Sequence, residues 1–136
     1  KSHLHVEGHT KFKTHSESVT SPSISSNEIT LDLSTAQSFT ITASDDINAF
    51  VVINPPSGSS SFTLKILQDS TGGRSVGIDT FKNNSGTSIP VYWPGGVVPI
   101  VTTTADKTDI YSFKTFDGDN LTTSGLYGVV GGQNFS

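Results

Sequence analysis

The sequence predicts an all-β fold, an antiparallel β-sandwich of jelly-roll type carrying an extended N-terminal arm. Three observations carry that expectation. Apolar residues recur with period two, turn-forming clusters interrupt the runs at short spacing, and no stretch shows the period of a convincing helix. Composition agrees, since Ser and Thr supply 21 and 18 of the 136 residues while only 15% are charged, which describes a β-rich and weakly charged surface. The length suits one ordinary domain that closes its core without staples. Beginning at Lys1 without a methionine, the chain reads as a fragment or a trimmed product.

Residues 1–27 are expected to form the arm and residues 28–136 the sandwich. All four histidines fall between His3 and His15, the run "SVTSPSISSN" is nearly free of large apolar side chains, and Leu4, Val6 and Phe12 are the arm's main apolar residues. Such a segment cannot close a core of its own, so it is either a flexible linker or an arm that orders by packing on partner copies.

In the body, "EITLDL" places Ile29, Leu31 and Leu33 on one face against Thr30 and Asp32, and "SFTLKI" does the same with Phe62, Leu64 and Ile66 against Thr63 and Lys65. Both read as strands with one wet face. "INAFVVIN" is apolar on both faces, Ala49, Val51 and Ile53 opposing Phe50 and Val52, and is the best candidate for a central strand needing cover on two sides. Turn signals follow at 54–60, 69–74, 83–88, 94–96, 105–107 and 117–120. Regular short strands between such turns argue for a sandwich.

The single tryptophan, Trp93, precedes Pro-Gly-Gly. A residue before proline is pushed to the extended region, Pro94 presets a turn corner and Gly95 can supply the positive φ of a type II turn, so Trp93 should end a strand. Its indole is expected either to plug the core or, with Tyr92 and Tyr127, to stack on a ligand such as a sugar ring.

Several chemistries find no support. Every histidine precedes residue 16, and neither a Gly-x-Ser-x-Gly elbow nor a His-Glu-x-x-His motif occurs, so no catalytic residues are assigned and an enzyme is not expected. "DGDN" at 117–120 lacks the spaced carboxylates of a calcium loop and reads as a hairpin turn. "TGGR" has no following helix to receive a phosphate. A net charge of −4 with scattered Lys and Arg argues against nucleic acid as a partner. No apolar run is long enough for a membrane span and the N-terminal residues lack a signal-peptide core, so membrane insertion is not expected. Absence of Cys removes disulfides and thiolate chemistry.

The combination of "QD-x-TGG", "WPGG", the strand around Asp109, Ile110, Ser112 and Phe113, and the closing "YG-x-x-GG-x-NF" resembles a β-sandwich domain that recurs in virion structural proteins of tailed bacteriophages, marine ones especially. The resemblance spans about 60% of the chain, residues 54–135, and departs from the pattern between Val76 and Tyr92, where a longer polar "GIDTFKNNSGTSIP" replaces a short hairpin. It implies a non-enzymatic part of the extracellular phage particle: a homotrimeric fibre, whisker or capsid-decorating appendage that contacts other virion proteins. A carbohydrate-binding knob that recognises a host surface glycan is the alternative on the same scaffold.

The arm's "LHVEGHTKF" is similar to the short units that open intertwined trimeric β shafts of phage fibres. In that scheme Leu4, Val6 and Phe12 are trimer contacts. His3 and His5 are two residues apart and share one strand face, so three chains around an axis bring six imidazoles together, an octahedral set suited to an Fe, Zn or Ni ion. The alternative is that Leu4 faces the axis, or that the terminus frays, and no cofactor is held.

Overall fold

The computed structural model describes residues 4–136. In chain order the elements are β1 (Val19–Thr20), β2 (Glu28–Asp32), β3 (Ser38–Ala43), β4 (Ala49–Ile53), β5 (Ser60–Gln68), β6 (Phe81–Asn83), β7 (Ser88–Ile89), β8 (Val91–Tyr92), β9 (Thr108–Thr115), α1 (Leu121–Ser124) and β10 (Leu126–Phe135). They build a six-stranded sheet in the order β1-β3-β5-β9-β10-β8 and a four-stranded sheet in the order β2-β4-β6-β7. The fold is therefore mostly β and sandwich-like, with one short α-helix, α1, among the described residues.

The antiparallel expectation is corrected: both sheets are mixed. β1, β3 and β5 pair in parallel, as do β2, β4 and β6, and β8 is parallel to β10, whereas β5-β9, β9-β10 and β6-β7 are antiparallel. The reason lies in where the short connections lead. From β1 to β6 the chain alternates between the sheets, so each turn carries it across the sandwich instead of back along a neighbour. Parallel neighbours need a long crossover, ordinarily a helix. Here the crossover is a strand of the facing sheet.

Alternation nevertheless sets the faces as expected. Across the small sheet Ile29, Phe50, Phe81 and Ile89 form one inward row, with the Phe50 and Phe81 rings stacked 5.1 Å apart. Phe81 reaches Phe113 of the facing sheet at 4.9 Å, closing the core between the layers. "INAFVVIN" supplies β4, which is central, between β2 and β6. Its outer side is partly covered within the chain: Glu28 and Lys82, from the strands on either side, form an ion pair across it, and their stems shield Ala49 and half-buried Val51.

Part of the expected arm belongs to the sheets. β1 adds to the edge of the large sheet, Ile24 packs against the core, and a tight turn with positive φ at Ser26 and Asn27 feeds β2. Residues before Val19 form no strand among those described.

"DGDN" forms a turn, as expected, in the connection between the antiparallel neighbours β9 and β10: Gly118–Asn120 makes a 3-10 turn that runs into α1 and interlocks with the 54–60 loop. The Gly118 N–H donates to the Gly58 carbonyl at 2.8 Å, Ser57 Oγ donates to Asp119 at 2.7 Å, and a Cβ at Gly118 would overlap the Pro56 carbonyl oxygen. Backbone cannot yield as a side-chain tip can. Gly118→Ala is therefore expected to lower unfolding free energy by about 1–3 kcal/mol, the usual cost of overpacking. Urea denaturation checks it: a lower midpoint at unchanged slope is expected, and an unchanged midpoint would mean that the loop gives way freely.

Candidate functional site

The site expected around Trp93 divides into a buried half and an exposed half, and strand register does the dividing. β8 runs beside β10 with Val91 opposite Leu126 and Tyr92 opposite Tyr127, so the next residue, Trp93, falls beside Gly128. Gly128 continues the inward row Phe62–Phe113. A Cβ at Gly128 would come within 2.7 Å of the indole, so the missing side chain is the space the indole occupies. The ring meets Tyr111 at 6.4 Å and Phe113 at 5.6 Å edge to face, and Trp93 is only 7% exposed. Its Nε1–H is buried without a hydrogen-bond partner among the described residues. Pro94 and Gly95, the latter at φ 65°, turn the chain away directly after it. Trp93 is a core plug and offers no face to a ligand.

Tyr92 and Tyr127, one residue earlier on each strand, point to the opposite side. They are 46% and 49% exposed, with ring centroids 5.2 Å apart and planes inclined by 35°. Phe116, just beyond β9 and 64% exposed, sets its ring edge to face with Tyr127 at 5.7 Å. Lys114 Nζ lies 5.3 Å from the Phe116 ring centre, a cation–π distance. Tyr127 and Phe116 border a shallow, almost wholly apolar hollow of about 430 Å³, with Lys114, Ser61, Ser112 and Val129 on its walls. Sequence reasoning found the two tyrosines but not Phe116 or Lys114. Their signal was the alternation of "SFKTF", which sends Phe113 and Thr115 inward and Lys114 and Phe116 outward.

Two polar clusters explain the quoted motifs as structure. Buried Asp109 accepts hydrogen bonds from the Thr102 N–H at 2.8 Å, the Tyr111 hydroxyl at 2.8 Å, the Asn134 N–H at 2.9 Å and Gln133 Nε2 at 3.2 Å. Gln133 also donates to the Ile100 carbonyl at 2.7 Å. Burial pushes the Asp109 carboxyl up, but the donors on it, the Thr102 and Asn134 amides first, outweigh that and hold it below the usual carboxylate range. Burial and the neighbouring Asp109 carboxylate raise Tyr111 far above an ordinary phenol. The cluster ties the 97–106 loop and the end of β10 to β9.

In "QDSTGGR", Gln68 clasps the Arg74 backbone, donating to its carbonyl at 2.9 Å and accepting from its N–H at 3.0 Å. Asp69 receives the Thr71 and Gly72 N–H groups and pairs with Arg74 Nη2 at 2.9 Å. The Arg74 guanidinium first, and then the Gly72 amide, keep the Asp69 carboxyl below its ordinary value.

In the arm, Leu4, Val6 and Phe12 are exposed on the single chain, and so is His5. His3 lies outside the described residues, so the His3–His5 pair is not placed. Among the described residues no group of three or more His, Asp or Glu side chains is arranged to hold a metal ion. No described helix is long and apolar enough to cross a membrane. Comparison with protein-family models, curated proteins and solved structures finds no significant match to this chain.

Proposed function

We propose that this chain is a non-enzymatic structural part of a bacteriophage virion, a homotrimeric fibre, whisker or capsid-decorating appendage. One observation supports the reading beyond the motif resemblance. The body closes a core between its two sheets, while Leu4, Val6 and Phe12 stand exposed on an arm with no strand before Val19 among the described residues. Apolar residues at alternating positions outside a finished core need a partner surface, and two further copies of the same arm provide a symmetric one. In that assembly His3 and His5 would approach the axis and could hold an Fe, Zn or Ni ion, and the body would face other virion proteins or the medium.

Light scattering tests the reading. The full chain at micromolar concentration is expected to have the mass of three copies, and a version lacking residues 1–13, cut well before β1, that of one. A monomeric full-length chain would overturn it, and an unchanged trimer after truncation would move the contact into the body. Elemental analysis of the trimer settles the axial ion: a metal-free trimer, unaffected by His3→Ala with His5→Ala, removes it.

A second reading, a knob that binds host surface glycan, is favoured by the exposed Tyr127 and Phe116 rings that border an apolar hollow, with Tyr92 packed beside Tyr127. Sugar sites combine such aromatic faces with a few convergent polar groups.

A further inference from the structure

Resting on the glycan-binding reading, we infer that the outer face of the six-stranded sheet binds an acidic saccharide, with the Tyr92–Tyr127 pair stacking a sugar ring, Phe116 standing edge to face beside them as a wall, and Lys114 receiving its carboxylate or sulfate. Charge distribution points there. The chain has 12 Asp and Glu against 8 Lys and Arg. Yet the outward positions of β5, β9, β10 and β8 hold no acidic residue. By register they are Ser61 beside Lys114 and then Tyr127 and Tyr92; Thr63 beside Ser112 and then Val129; and Lys65 beside Ile110. On β3 the corresponding positions are Ser38, Thr40 and Thr42. A carboxylate, Glu17, stands at the far sheet edge, where the Ser38 hydroxyl reaches it at 3.5 Å.

Neither Lys65 nor Lys114 has an ion-pair partner among the described residues, whereas Arg74 and Lys82 are paired. Lys114 holds its ammonium over the Phe116 ring, 5.3 Å from its centre, where an acidic substituent of a sugar stacked on the neighbouring tyrosines would meet it. Lys65 lies four residues farther along the strands, roughly 13 Å at the usual rise, which is the reach of a chain of sugars and not of one. Between them Thr63 and Ser112, mutually bonded at 3.2 Å, offer hydroxyls suited to sugar oxygens. A neutral saccharide would use the rings and hydroxyls alike but would leave the unopposed lysines unused.

The test uses the full-length protein, an oligomer of hexuronate sugars, its neutral methyl ester, and an array of sulfated and unsulfated glycans. Acidic forms are expected to bind at least about tenfold more tightly than neutral counterparts, the worth of one charge-assisted hydrogen bond. That margin should shrink with added salt. Lys114→Gln should erase the margin between acidic and neutral forms, and Tyr127→Ala should weaken the binding of both, with the melting temperature of each variant measured alongside. Equal binding of acidic and neutral forms would overturn the acid selectivity and leave the glycan reading standing. No retention of any glycan would overturn both, and if Tyr127→Ala then lowered the mass in solution, the face would be a contact between copies.

Discussion

Trp93→Ala is expected to lower unfolding free energy by about 3–5 kcal/mol, the range for removing a large aromatic from a packed core. The geometry places it high in that range. Trp93 lies over Gly128, which has no side chain to move into the vacated space, and beside Tyr111 and Phe113, whose rings are themselves fixed within the core. A site that cannot collapse keeps its cavity. Trp93→Phe should cost much less, because it removes the buried Nε1–H that has no acceptor and so offsets part of the lost volume, an unsatisfied donor being worth about 1–3 kcal/mol. Denaturant unfolding of the three proteins checks both parts. A Trp93→Ala variant as stable as its parent would contradict the plug, and a Phe variant as damaged as the Ala variant would show that the indole N–H is satisfied after all. Gly128→Ala offers a mirror experiment, since its methyl group would press on the same ring.

How far the fold could be read from the chain depends on what alternation encodes. Period two tells which side chains face inward, and Ile29, Leu31, Phe62, Leu64 and Ile66 are all buried as read. It does not tell which strand lies alongside. The connections between β2 and β5 are as short as hairpin loops, and nothing in them marks a crossing to the other sheet, so parallel coiling was invisible and an antiparallel order was the natural expectation. The candidate site shows the same division. That Trp93 ends a strand and is buried followed from Pro94, Gly95 and ring size. That Tyr92 meets Tyr127 depends on the parallel pairing of β8 with β10, a long-range register that neither segment announces. Phe116 was legible in principle from "SFKTF", whereas the fit of an indole onto Gly128 was not, because glycine in "LYGVVGG" signals close approach without naming the partner.

Asp109 is where the second large effect is expected, and here pH is the lever. One buried carboxylate gathers the Thr102 and Asn134 amides, the Tyr111 hydroxyl and Gln133 Nε2, so Asp109→Ala strands the first three donors at once, while Gln133 keeps the Ile100 carbonyl. Some will reach water at the loop, and the loss should be about 3–5 kcal/mol, comparable to breaking a buried charged pair. The direction with pH follows from the lowered folded-state value: the unfolded chain binds the proton more readily, so the stabilisation is complete above the ordinary aspartate range near 4 and disappears as pH falls through the folded value. Asp69, held low by Arg74 and the Gly72 amide, acts with the same sign, so acid sensitivity has two sources. Asp109→Asn separates them. It should cost less than Ala at neutral pH because one carbonyl acceptor survives, while its NH2 meets an N–H that the carboxylate accepted. On going from pH 7 to pH 3 it should then lose less stability than the parent, keeping the Asp69 share. Urea unfolding at both pH values measures this, and parallel pH profiles for parent and variant would mean that Asp109 gains no proton in the transition. Since the same carboxylate fastens the 97–106 loop and the end of β10 to β9, the Ala variant should also show faster hydrogen exchange at Thr102 and Asn134 before global unfolding, whereas amides in the small sheet stay protected.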